Sequence, residues 1–180
     1  MKRLLIPLFI ILLCNCEAQN SYTNSEYGFR INFPDNWNIK KSSQKFTVVK
    51  AVSPSSRYIS YISIAAYPIP KNEIEYYMKV TPQQMYNTLK EEYSNYKIEL
   101  LDSGYQIING NKATWNRVKV DILCTKYIIT DNYHLTYNGT LFRITNATDG
   151  GETIYNELKS IFERSINSLV FDRQRYCVTQ

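Results

Sequence analysis

The chain is poor in the residues that most catalytic and metal sites draw on. Among its 180 residues there is one histidine, His134, and there are four cysteines, at positions 14, 16, 124 and 177. A structural zinc site takes about four Cys or His ligands at short spacings. His134, Cys124 and Cys177 are too few and too far apart in sequence to supply one. No EF-hand pattern is present, and neither Gly28 nor Gly150-Gly151 belongs to a phosphate-cradling loop. No metal or cofactor is expected. The chain also lacks clustered positive charge: the formal charge is +5, yet Lys40-Lys41 is the only adjacent basic pair beyond the first three residues. A nucleic-acid binder would gather its basic residues on one face or along a helix, so nucleic acid is excluded as a partner. With only six glycines and six prolines, the chain has no linker-like or low-complexity stretch.

The N-terminus is where the apolar residues run together. Lys2 and Arg3 precede a ten-residue apolar stretch, Leu4 to Leu13, too short for a membrane span of about 20 residues. Small or polar residues follow at once, which is the order of a secretory signal, assigned to residues 1–18. Two processing routes are open. Leu13-Cys14-Asn15-Cys16 is similar to a bacterial lipobox with Cys16 as the acylated residue, although Asn15 departs from the usual small residue. Alternatively, Cys16-Glu17-Ala18 offers small residues for cleavage that would release a soluble chain starting at Gln19. The first route anchors the protein to a membrane by lipid on Cys16; the second secretes it. Export also permits a disulfide between Cys124 and Cys177, but spacing alone does not establish one.

Beyond the signal, a polar tether is expected over residues 19–26, one domain over 27–172 and a polar tail over 173–180. Phe29, Ile31 and Phe33 alternate with polar residues as a half-buried strand does. Pro34-Asp35-Asn36 makes a turn, and Trp37 is expected to seal the core edge. Further strands are read at Phe46 to Val52 and Tyr58 to Tyr67, the latter ended by Pro68 and Pro70. Thr81-Pro82-Gln83-Gln84 is a helix start with a capping box. Met85, Leu89 and Tyr93 then place one apolar stripe against a sheet. Strands follow at Gly104 to Ile108, Ala113 to Ile122, Tyr127 to Tyr137 and Thr140 to Thr145. Asn109-Gly110 and Asn138-Gly139 are strong hairpin signals between them. Ile154, Leu158, Ile161, Phe162 and Ile166 mark a second amphipathic helix, and Leu169 to Phe171 close the fold. The fold class is α+β, a central antiparallel β-sheet flanked by helices.

The order of these motifs resembles PsbP-like proteins. The resemblance rests on Tyr27-Gly28-Phe29-Arg30-Ile31-Asn32-Phe33-Pro34-Asp35-Asn36-Trp37, on a proline-terminated strand leading into a Thr-Pro helix, and on the Ile107-Ile108-Asn109-Gly110 turn. It continues through the Tyr137-Asn138-Gly139-Thr140-Leu141-Phe142 hairpin to a helix ending in Ser168-Leu169-Val170-Phe171. It implies the Mog1/PsbP-like fold, an α/β/α sandwich. Members of that group are generally non-catalytic: photosystem assembly subunits, a binder of a small GTPase, secretion-effector chaperones and envelope lipoproteins. No family-wide catalytic motif exists to carry over, and a photosystem role does not transfer, because function lives in sites grafted on folds.

Histidine-based catalysis would have to use His134. On its strand, Tyr127, Ile129, Tyr133, Leu135 and Tyr137 face one way, while His134 shares the other with Ile128, Thr130, Asn132 and Thr136. His134 is therefore read as an ordinary polar-face residue. Cys124 is a poor partner for it, ten residues along the same run and about 33 Å if the strand is continuous. Glu91 and Glu92 point about 100° apart on a helix, so they are read as a solvated face and not an acid/base pair. Asn138-Gly139-Thr140 and Asn146-Ala147-Thr148 match glycosylation sequons, but in a bacterial chain they are turn chemistry. The one positive oddity is 16 tyrosines, which could stack on sugars, form a protein-binding face or merely replace Phe at the core rim. The composition thus points to a non-enzymatic cell-envelope protein that binds or helps assemble another envelope protein. The alternative is a small-ligand or carbohydrate binder with a Tyr-lined cleft.

Overall fold

The computed structural model describes residues 19–42, 44–123 and 126–172. Two antiparallel sheets form its frame. The larger has seven strands: β3 (Asn38–Lys40), β4 (Thr47–Val52), β5 (Ser60–Pro68), β6 (Lys97–Ile108), β7 (Asn111–Leu123), β8 (Lys126–Tyr137) and β9 (Thr140–Thr148). Their spatial order is β3-β4-β5-β9-β8-β7-β6, so β6 and β3 are the edges. The smaller sheet has β2 (Phe29–Pro34) between β1 (Gln19–Asn24) and β10 (Val170–Phe171).

The expected α+β class holds, with one outer layer made partly of strand. On one face of the large sheet lie the small sheet and α3 (Gly151–Asn167). The core between them holds Phe29, Ile31, Phe33, Ile62, Ile64, Phe142, Phe162 and Ile166, all within 1% of complete burial. Each such side chain stabilises the fold by about 1.5–3 kcal/mol. Trp37 is buried there too, edge-on to Phe162 at 6.2 Å, as the sequence suggested. On the other face lie α1 (Ile74–Lys79) and α2 (Pro82–Glu92). Leu89 of α2 packs on Val118 and Val120 of β7 in a second, smaller core.

Helix α2 starts where Thr81-Pro82-Gln83-Gln84 says it should. Gln84 N–H donates to Thr81 Oγ1 at 3.2 Å, and Thr81 N–H donates to Gln84 Oε1 at 2.8 Å, which completes the capping box. Both Asn-Gly hairpins are tight two-residue turns: Asn109 and Gly110 have φ of 50° and 82°, Asn138 and Gly139 of 46° and 71°. Two successive positive φ values are the signature of the type I′ turn.

Two expectations fail. Residues 19–24, read as a tether, are strand β1, paired residue for residue with β2 from Gln19↔Pro34 to Asn24↔Phe29. Main-chain pairing needs no apolar sequence, and Asn20 adds a side-chain donation to the Asp35 carbonyl at 2.6 Å. Strand β6 starts at Lys97, seven residues earlier than read, because an irregularity between Leu100 and Asp102 breaks its alternation. The readings placed on Cys16, Cys124, Cys177 and the segments 1–18 and 173–180 lie outside the described residues. Among the described residues no helix is long and apolar enough to cross a membrane.

Candidate functional site

Strand β8 is sandwiched, so both its faces are covered. Its odd-numbered side chains face α3, where Asp131 meets Tyr155; its even-numbered ones face α1 and α2. His134 is on the second face, as its position in the strand implies. That face is covered by α1 and α2, so His134 is a half-buried residue beneath the surface. His134 Nε2 is buried and has no hydrogen-bond partner among the described residues, and the same is true of Thr136 Oγ1, two residues along.

His134 lines a cleft of about 280 Å³ between the sheet and the two helices, just below the roughly 300 Å³ at which typical ligand cavities begin. Strand β5 and the turn after it contribute Tyr67, Pro68, Ile69 and Pro70. Helix α1 adds Tyr76 and Tyr77, and α2 adds Gln84, Met85, Thr88 and Glu92. Leu141 and Arg143 come from β9. The walls are thus largely aromatic and aliphatic, and three of the sixteen tyrosines meet here. The segment that carries α1 is tied at both ends: Ile69 N–H donates to the Gly139 carbonyl at 2.8 Å, and Thr114 Oγ1 donates to the Val80 carbonyl at 2.9 Å. Between those ties α1 buries no residue.

The charged groups of the cleft are an ion pair. Arg143 lies opposite His134 in the β8–β9 ladder and sends Nη1 and Nη2 to the two carboxylate oxygens of Glu92, at 2.9 and 2.8 Å. Glu92 is the last residue of α2 and stays exposed, as its reading on a solvated face implies, while the pair joins helix to sheet. Burial is the largest single effect and works against the Arg143 charge, but the Glu92 hydrogen bonds and charge, with Tyr67 and Tyr93, together offset it and hold its pKa above the ordinary value. His134 responds the other way. Burial, with Arg143 adding to it, pushes the imidazole down to about 3, so it is neutral at any physiological pH. The guanidinium also stands 6.0 Å from the Tyr67 ring centroid.

Deeper along the same face the sheet carries amides. Asn132 Nδ2 donates to Asn116 Oδ1 at 3.3 Å and to Thr130 Oγ1 at 2.9 Å, and Thr145 Oγ1 donates to Asn132 Oδ1 at 3.3 Å. The bonds to Asn116 and from Thr145 cross between strands and help hold the register of β7, β8 and β9 beneath α2. Among the described residues no group of three or more His, Cys, Asp or Glu is placed to hold a metal.

Sequence reasoning missed Arg143 and Glu92. A signal for the first was present: a two-residue turn at Asn138-Gly139 pairs residues symmetrically about it, and that symmetry sets His134 against Arg143. The Glu92 partnership depends on how α2 crosses the sheet, which no local pattern encodes.

No family model and no curated protein sequence matches the chain. Solved structures do. The chain is similar to cyanobacterial PsbP (CyanoP) from Synechocystis sp. PCC 6803, with a TM-score of 0.67 at 15% identity over 92% of this chain and 99% of that one. It is similar to LpqN of Mycobacterium tuberculosis, described as involved in cell envelope biogenesis, with a TM-score of 0.53 at 11% identity over 84% and 89% of the two chains. The Saccharomyces cerevisiae Ran-binding protein Mog1p aligns with a TM-score of 0.53 at 8% identity over 85% and 95%. An antiparallel sheet covered on both faces is the class these define. The particular fold is the Mog1/PsbP-like one, as the sequence motifs implied.

Proposed function

We propose that the chain is a non-catalytic, extracytoplasmic binding protein, held at the cell envelope by lipid on Cys16, that takes a small molecule into the cleft between its sheet and α1 and α2. The observation that carries this is a half-enclosed cleft walled by Tyr67, Tyr76 and Tyr77 and lined by His134, whose Nε2 is buried without a partner among the described residues. A buried polar atom without a partner is costly, and a ligand group could satisfy it. The same geometry favours binding over catalysis. His134 is a neutral and very weakly basic imidazole at neutral pH, poorly suited to take up a substrate proton, and Glu92 is committed to Arg143. The description of LpqN as an envelope-biogenesis protein is in keeping with the location.

A protein partner in the envelope is the second reading. It is favoured by the β6 edge, twelve residues long, with Leu101, Tyr105 and Ile107 at 40, 51 and 63% exposure. Exposed strand edges pair readily with other chains.

Native mass spectrometry of the chain purified from its own envelope tests the first reading. Thr88 lines the cleft on an exposed helical position, so Thr88→Trp should fill the space without disturbing the core. The unsubstituted chain should retain a small-molecule adduct that Thr88→Trp loses. An adduct carried equally by both would place it elsewhere and count against the cleft.

A further inference from the structure

We infer that the cleft selects an uncharged ligand, one with an apolar face and a hydroxyl or carbonyl group, and that Glu92 is the residue that sets this selectivity. The inference rests on the reading of the cleft as a small-ligand site and adds the chemical class to it.

Among the described residues, Arg143 and Glu92 are the only charged side chains that line the cleft, and they are of opposite sign. Their two hydrogen bonds, at 2.9 and 2.8 Å, use both oxygens of the carboxylate and two nitrogens of the guanidinium fork. This bidentate arrangement is what an anionic ligand would otherwise seek from an arginine. A carboxylate entering the cleft must displace Glu92, which then sits unpaired beside a like charge. An ammonium must displace Arg143 from Glu92, with the mirror-image cost. Repulsion of this kind is how sites reject close analogues that would otherwise fit.

The cleft still offers a neutral molecule two things. One is the imidazole of His134, which lines the cleft and whose covered Nε2 has no partner among the described residues, so that a small side-chain shift opens it to a ligand group. The other is the tyrosine and aliphatic surface of Tyr67, Tyr77 and Leu141. A hydroxyl can either donate to or accept from a neutral imidazole, so it satisfies Nε2 in either tautomer.

Three probes of nearly one shape separate the possibilities: benzyl alcohol, benzoate and benzylammonium. Each is titrated into the purified chain at neutral pH while the NMR resonances of His134, Thr88 and Arg143 are followed. Benzyl alcohol should shift these resonances and bind about tenfold or more tightly than either ion. In Glu92→Gln, a change at a helix end with a 41% exposed side chain, Arg143 loses its counter-charge, and benzoate should overtake benzyl alcohol. Benzoate or benzylammonium binding the unsubstituted chain as well as benzyl alcohol would overturn the charge argument and leave the small-ligand reading standing. An unchanged order of preference in Glu92→Gln would overturn the role given to that residue. If none of the three moves a cleft resonance up to its solubility limit, the small-ligand reading fails, and this inference with it.

Discussion

Arg117 and Asp131 face each other directly across β7 and β8, and the Arg117 Nε donates to Asp131 Oδ1 at 2.7 Å beneath α3. Tyr155 of α3 closes the arrangement, its hydroxyl donating to Asp131 Oδ2 at 2.6 Å while its ring lies 4.6 Å from the guanidinium carbon. Asp131 is 3% exposed, so its charge is held almost entirely by these two partners. Burial first and Asp131 second raise the pKa of the Tyr155 hydroxyl, which keeps it protonated as a donor. Helix α3 is thereby pinned to the sheet by a polar contact inside an otherwise apolar core.

Removing one member of a buried pair leaves the other uncompensated, at a cost of about 3–5 kcal/mol. Arg117, 18% exposed in its side chain, has little water to turn to. Asp131→Ala should therefore lose about 3 kcal/mol or more in urea unfolding. Tyr155→Phe, which deletes one bond to a charged group, should lose about 1.5–3 kcal/mol. A loss below about 1 kcal/mol in Asp131→Ala would mean that the pair contributes nothing beyond its own desolvation.

His134 predicts a pH dependence with a definite sign. Its folded pKa is lowered from 6.5 to about 3. Below pH 6.5 the unfolded chain therefore binds one proton more than the folded chain, and stability falls as the pH drops towards about 3. At pH 5 this amounts to about 2 kcal/mol, or roughly 4–8 °C in Tm for a chain of this size. Arg143, beside His134, keeps its charge throughout. His134→Gln should remove this component, so its Tm should fall less than that of the unsubstituted chain between pH 7.5 and 5. Parallel pH profiles for the two proteins would show that the imidazole titrates normally.

What the sequence shows of this fold divides by physical cause. The β2 strand, the α2 capping box and both hairpins are legible because each is fixed by a local rule: alternation, a side-chain cap, or positive φ at Asn-Gly. Strand β1 is not, since it is held by main-chain pairing that leaves no mark on Gln19-Asn20-Ser21-Tyr22-Thr23-Asn24. Helix α1 is six residues long, too short for a periodicity to show. The site follows the same division. The face of β8 that carries His134 can be read from parity, but not the fact that α1 and α2 cover it. Thr130, Asn132 and His134 look like a solvated row, and Thr130 and Asn132 are buried. Polar residues on a central strand mark a covered face as readily as an open one when their partners are one another.

The Asn138-Gly139 turn bears on both fold and cleft. Gly139 sits at φ 71°, and its carbonyl accepts from Ile69 N–H, which anchors the segment leading to α1. A Cβ there would meet only Ile74 Cδ1, at 3.8 Å, an ordinary contact. The penalty for a substitution is therefore conformational. Gly139→Val should cost about 1–2 kcal/mol or more from the left-handed backbone alone. Gly139→Asn should cost less, because Asn tolerates this region. Equal Tm values for the Val, Asn and Gly forms would contradict the type I′ assignment.

The last prediction concerns Cys16, where the paired strand β1 alters what a lipid anchor would do. Strand β1 starts at Gln19, so only Glu17 and Ala18 separate it from Cys16. Even fully extended, that stretch spans about 10 Å from Cys16 to Gln19. A lipid on Cys16 would thus hold the small sheet close to the bilayer surface, with none of the slack a longer tether gives. One acyl chain binds membranes marginally, whereas several on one cysteine hold a domain firmly. Cys16→Ser should abolish incorporation of labelled fatty acid and move the protein from the membrane to the soluble fraction. Intact-mass measurement of the mature chain decides between the two processing routes: a mass for Cys16 carrying diacylglycerol supports the anchor. A chain that begins at unmodified Gln19 would sink the lipoprotein reading while leaving the cleft and its chemistry untouched.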